Sequence, residues 1–123
     1  MTCRAVWDGE CVISDLRVAR STRARMQGLL GRSGLPNGSG LLIDPCSSIH
    51  TWFMRFAIDV FFLDGQRTVV KVARNVGPFR MVLGGVGARA VIEVAAGWLT
   101  NDALAAGQRI VIEDIAQPAE PSR

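Results

Sequence analysis

His50-Thr51-Trp52-Phe53-Met54-Arg55-Phe56-Ala57-Ile58-Asp59-Val60-Phe61-Phe62-Leu63 alternates along its length. His50, Trp52, Met54, Phe56, Ile58, Val60 and Phe62 fall on one side, and Thr51, Phe53, Arg55, Ala57, Asp59, Phe61 and Leu63 on the other. A period of two among aromatic and β-branched residues predicts a central strand, bent partway. On its C-terminal side Asp64-Gly65 supplies a turn into Thr68-Val69-Val70-Lys71-Val72-Ala73, so the two runs predict a hairpin.

The flanks also favour short strands. Cys3 to Ile13 reads as a first hairpin, because Asp8-Gly9 tolerates positive φ between two apolar-rich runs. Past Asp15 the pattern changes, and Ser21 or Thr22 caps a helix over about Thr22 to Leu30, with Met26, Leu29 and Leu30 as a narrow apolar stripe. Gly34 to Gly40 reads as a loop and not a phosphate cradle: the Lys-Ser/Thr pair of a P-loop is missing and the helix precedes the glycines. Gly77-Pro78 breaks the pattern, and Met81 to Gly87 suits a loop or an irregular strand equally. Val91 to Ala95 is a strand stopped by Gly97, Asn101 to Ala106 a helical turn capped by Gly107, and Arg109 to Glu113 the last strand. The expected fold is mostly β: a single-domain β-sandwich or partly closed barrel with one or two short helices, spanning residues 1–116, with a frayed tail at 117–123.

Composition narrows the function classes. A chain of 123 residues, 49% hydrophobic and 20% charged, is a globular domain able to bury roughly two-thirds of its surface without disulfides or metals. No apolar run approaches the roughly 20 residues that cross a bilayer, so no membrane partner is expected. Met1 to Asp8 lacks a signal-like apolar stretch, and three cysteines, Cys3, Cys11 and Cys46, cannot all pair, which makes a reducing, cytoplasmic setting the expectation. Cys3 and Cys11 pair only if they face each other across the first hairpin. The net charge of +3 comes from arginine, Lys71 being the only lysine. Arg17, Arg20, Arg23 and Arg25 cluster without interleaved aromatic residues, which reads as a solvated basic helix face and argues against a nucleic-acid partner.

No complete catalytic or cofactor motif is present, so no cofactor is expected. Cys46, His50 and Met54 are soft-ligand types at steps of four. On a strand, however, His50 and Met54 lie about 13 Å apart at roughly 3.3 Å per residue, too far for one metal, which leaves at most a two-ligand Cys46/His50 carrier. The same pair defines the enzyme alternative, a hydrolase or thiol-dependent enzyme with Cys46 as nucleophile and His50, the only histidine, as base. The simpler reading makes Cys46 a small buried residue and His50 a core-edge one. For Asp59, hydrogen bonds to turn amides are the simplest account, and Glu93 reads as outward-facing. Trp52 and Trp98 read as core.

Arg25 to Arg32, Ile49-His50-Thr51, Met54 to Asp64, Gly77-Pro78-Phe79-Arg80, Ile92 to Gly97 and Gly107 together resemble the uncharacterised family known as domain of unknown function 192, over roughly Arg20 to Ile112. The resemblance implies a mostly-β sandwich or barrel-like domain with small helices, found in bacteria and archaea, with no established activity. Family positions carry over as Met54, Asp59, Pro78, Glu93 and Gly97, whereas Ala57 stands where proline is common. Residues and resemblance lead to a non-enzymatic domain binding a small polar ligand, an extended chain or a protein. Its expected site is His50, Thr51, Met54, Arg55, Asp59, Pro78 and Arg80, with the Gly34–Gly40 and Gly77–Gly87 loops beside them.

Overall fold

The structure, a computed structural model, describes residues 2–20, 34–52, 54–100 and 102–114. Its strands are β1 (Thr2–Trp7), β2 (Glu10–Ala19), β3 (Ser39–Ile43), β4 (Ser48–His50), β5 (Ile58–Leu63), β6 (Val69–Val76), β7 (Met81–Leu83), β8 (Ala90–Ala95) and β9 (Val111–Asp114). Among the described residues there is no helix, and the fold is mostly β, as the alternation predicts. The predicted helix at 22–30 and the tail at 117–123 lie outside them, and the turn expected near 101–106 is described from 102 onward, with Leu104 N donating to Thr100 O.

Seven strands form one mixed sheet in the order β6-β5-β8-β3-β2-β1-β9. Both predicted hairpins are present. Asp8 and Gly9 take φ of 54° and 78° at the β1–β2 turn, and Asp64 Oδ1 accepts the amides of Gln66 and Thr68, each at 2.9 Å, to fold the β5–β6 turn. Only β2 and β3 run parallel, an arrangement that the long connection through residues 20–38 permits. The sheet curls until its edges touch at one antiparallel bridge, Thr68 to Arg109. Gly107 N donates to Val69 O and Val69 N to Gln108 O, both at 2.8 Å, and Ile110 N donates to Arg67 O at 3.0 Å. It is thus pinned at one point and not closed along its length.

Side chains alternate between two cores. Leu16, Leu42, Phe61, Leu63, Ile92 and Val94 fill the inside of the curl, while Leu41, Ile43, Ile58, Val60, Phe62 and Val91 face outward. The outward face is covered by a two-stranded ribbon of β4 and β7, which contributes Ile49 and Val82. Gly84 permits that close approach, since a Cβ there would stand 2.5 Å from Phe62 Cδ1 and 2.6 Å from the Cβ of Ala88. Burying Phe61 and Phe62 on opposite faces stabilises the fold by about 1.5–3 kcal/mol each.

Several expectations need correction. The predicted His50–Leu63 strand is two strands separated by residues 51–57, of which Phe53 lies outside the described set. Thr51 breaks it by bonding both through its backbone and through its hydroxyl to the segment entering β7. β2 runs on past Ile13 to Ala19: two irregularities against β1 leave Ile13, Leu16 and Ala19 buried at steps of three, a spacing that hides a strand. Arg17 therefore sits on a strand, ion-paired with Asp15, while Arg23 and Arg25 lie outside the described residues. Glu93 is fully buried, because β8 is central and covered on both faces. Trp52 is 40% exposed and not core. Arg109 bridges to Thr68, and the last strand starts at Val111. Cys3 lies opposite Leu16 and Cys11 opposite Val6, so the first hairpin does not bring the two thiols together, and all three cysteines are free.

Candidate functional site

Thr51 organises the region. Its amide donates to Arg80 O at 2.8 Å, and its carbonyl accepts Phe79 N at 3.1 Å and Met54 N at 3.2 Å. Its hydroxyl donates to Gly77 O at 2.6 Å and accepts Arg80 N at 2.9 Å. With Thr51 fully buried, these bonds fasten residues 77–80 to the end of β4. Within the fastened turn Phe79 has φ of 60°, a left-handed conformation costly for a bulky residue, and its side chain is 61% exposed.

The ribbon then sorts its side chains by alternation. Ile49 and Val82 point inward. Their neighbours pair on the other face, His50 opposite Met81 and Ser48 opposite Leu83, leaving Met81 and Leu83 exposed. Trp52 joins this surface, edge-on to His50 with centroids 5.6 Å apart and tilted against Phe79 at 6.3 Å. Arg80, exposed, lies between Phe79 and Met81 and lines a cleft with Met81 and Val82, and Lys71 Nζ donates to Leu83 O at 2.6 Å. Between Gly65 and Ile92 the chain carries Arg67, Lys71, Arg74, Arg80 and Arg89 and no acidic residue. The result is an apolar strip in a cationic setting.

Asp59 lies at one end of this region and is 1% exposed. Its carboxylate accepts Asn75 N at 2.8 Å, Gly97 N at 3.0 Å and Arg74 Nη1 at 3.0 Å. Arg74 also donates to Leu99 O and lies over the Phe61 ring at 5.2 Å. Asn75 and Gly97 have φ of 52° and 95°, so the carboxylate secures a left-handed residue at the irregularity near the end of β6 and the left-handed turn after β8, in the second case the turn-amide role the sequence suggests. Shallow clefts of about 410 Å³ and 340 Å³ flank Arg74 and Asn75, one toward Gly97 and Thr100, the other toward Arg80 and Met81.

Of the expected site residues, His50, Thr51, Pro78 and Arg80 come together around the 77–80 turn. Pro78, Arg80 and Arg55 are exposed, His50 is half-buried, and Thr51, Met54 and Asp59 are buried within the scaffold. Gly34–Gly40 lies elsewhere: its Gly38 carbonyl accepts the amides of Ser14 and Asp15 beside β2. Cys46 and His50 are each held by main chain. The thiol donates to Ser48 O at 2.9 Å, and Nδ1 of the imidazole accepts Trp52 N at 3.3 Å, whereas a nucleophile and its base need a bond between them. Among the described residues no three His, Cys, Asp or Glu side chains gather as ion ligands. Sequence reasoning placed the Gly77–Gly87 loop beside the site but singled out none of Phe79, Met81 and Leu83 in it, and read Trp52 as core. The available signal was the lack of acidic residues between Gly65 and Ile92 around apolar residues in a stretch that suited a loop and an irregular strand equally.

The family model for DUF192, an uncharacterized ACR group, matches residues 5–112. The chain belongs to the DUF192 family. No curated protein matches this DUF192 domain. Among solved structures it resembles a protein of unknown function from Novosphingobium aromaticivorans DSM 12444, at 17% identity and a TM-score of 0.75 over 90% of this chain and 84% of that one. It also resembles a protein from Sinorhizobium meliloti 1021 described as a putative transcription regulator, at 18% identity and a TM-score of 0.74, over 90% of this chain and 92% of that one. At such identities the likeness concerns the fold alone.

Proposed function

We propose that this DUF192 domain is a non-catalytic binding module that takes an extended, acidic polypeptide segment across the outer face of the β4–β7 ribbon. The observation that carries the reading is Phe79: a large apolar side chain held in a left-handed turn, mostly exposed, against Trp52. Strained backbone and exposed aromatic area both disfavour the free domain slightly, and a partner that covers the rings offsets that cost. An extended chain fits better than a small polar molecule, because Trp52, Phe79, Met81 and Leu83 form a strip along two short strands and not the wall of an enclosed pocket. Arg55, Arg80 and Lys71 supply charge complementarity to acidic residues flanking apolar ones. Thr51, Met54 and Asp59 act as supports that set the strip's shape. The three free cysteines suit a reducing compartment, and a cytoplasmic setting belongs to the proposal.

The test is an array of nonapeptides alternating aliphatic residues with Glu, beside arrays in which Lys or Ser replaces Glu. The expected result is selective binding of the Glu peptides, lost in Phe79→Ser and Arg80→Glu. Equal retention on all three arrays, or Glu-peptide binding unchanged in both variants, would sink the reading.

A further inference from the structure

A cavity of about 620 Å³ lies away from the ribbon, at the mouth of the curled sheet beside the Thr68–Arg109 bridge. Cys3, Leu42 and Ile110 form its apolar floor, all within the inner core, and Val18 and Ile112 extend it as half-buried wall. Strand alternation directs these residues into the curl, so the floor continues the hydrophobic interior to the surface. Charged groups form the rim. Asp44 is held by Arg67 at 2.8 Å, and Asp114 has a contact of its own. Arg109 spends only Nε, on Gln66 O at 3.0 Å, and Arg20 has no ion pair among the described residues. Among the described residues three guanidinium groups face two engaged carboxylates, which leaves one excess positive charge beside an apolar floor.

We propose that this mouth is a second binding site, for a small amphipathic monocarboxylate whose aliphatic or aromatic body lies on Val18, Leu42, Ile110 and Ile112 and whose carboxylate meets Arg20 and Arg109. The volume falls in the range of small-molecule sites, and barrel mouths are a common location for them. Guanidinium forks suit a planar carboxylate, and the single excess charge matches a monoanion better than a phosphate dianion.

Decanoate titrated into the full chain, followed by methyl and amide NMR, tests this. Saturable shifts are expected at Val18, Leu42, Ile110 and Ile112. Decanol should bind at least about tenfold more weakly, and Arg20→Gln with Arg109→Gln should weaken decanoate by at least about tenfold, the effect of losing its two charge-assisted pairings. Ile112→Trp should block the site. Because that variant risks misfolding, the surface double variant serves as the independent measure, with amide dispersion as the check on folding. Absence of saturable binding, equal affinity for decanol, unchanged affinity in the double variant, or shifts confined to Trp52, Phe79 and Met81 would each overturn the proposal, and the first three leave peptide binding at the ribbon untouched.

Discussion

Asp59 and Arg74 meet at 3.0 Å on adjacent strands, and the same carboxylate accepts the amides of Asn75 and Gly97. Asp59→Ala removes the shared acceptor of these three donors, of which Arg74 keeps Leu99 O. It should destabilise the domain by about 2–3 kcal/mol in urea denaturation, the cost of losing several hydrogen bonds to one charged acceptor when Arg74, a third exposed, keeps Leu99 O and water as partners. Asp59→Asn keeps one acceptor oxygen and should fall between this value and wild type. Equal stabilities for wild type and Ala would show that the left-handed conformations at Asn75 and Gly97 do not depend on the carboxylate.

Thr51→Val keeps the branched shape and removes the hydroxyl that bonds Gly77 O and Arg80 N. A loss of about 2 kcal/mol is expected, with faster hydrogen exchange at Arg80 than at Val94. Thr51→Ser should restore most of both. Unchanged exchange at Arg80 in the Val variant would mean that backbone bonds alone hold the turn.

Phe79→Gly separates stability from binding. Glycine removes the left-handed penalty and little buried area, so the free domain should gain about 1 kcal/mol, read by chemical denaturation. Peptide binding at the ribbon should disappear in the same variant. A destabilised glycine variant would instead make Phe79 a packing residue.

The Cys3 thiol has its pKa pushed above the ordinary 9.0, first by burial and then by the nearby Asp114 carboxylate. Below 9.0 both folded and unfolded thiols keep their protons, and the contribution to stability is fully present. As pH rises further the unfolded thiol ionises first, so stability declines up to the raised folded value. Stability measured from pH 8 upward should therefore fall less steeply in Cys3→Ala than in wild type. Parallel slopes would show that Cys3 titrates alike in both states.

Where local chemistry decided the structure, the sequence was readable. Asp8-Gly9 marks its hairpin because few residues accept such backbone angles, Asp64-Gly65 marks the other through a carboxylate that accepts the amides of Gln66 and Thr68, and Asp59 could be assigned to backbone amides because an acid in an apolar run needs donors. Long-range effects were not legible. Glu93 reads as outward only if β8 has a solvent face, and nothing local says that β3 and β5 flank it. The alternation of His50 to Leu63 continues through Thr51, but a bond to Gly77, 26 positions away, ends the strand. The exposed strip was hidden for a related reason: Met81 and Leu83 have the composition of core, and only their pairing register with His50 and Ser48 turns them outward.

The pairing of β1 with β9 sets a schedule for the nascent chain. Arg4 and Glu113, 109 positions apart, face each other at 2.6 Å across that pair. At bacterial or eukaryotic elongation rates the outer edge of β1 waits about 5–20 s on the ribosome before its partner emerges. Through that interval the first hairpin presents open main-chain donors and acceptors to any passing strand. The exposed charges of Arg4, Glu10 and Arg17 on this early hairpin are then as useful during synthesis as they are afterwards.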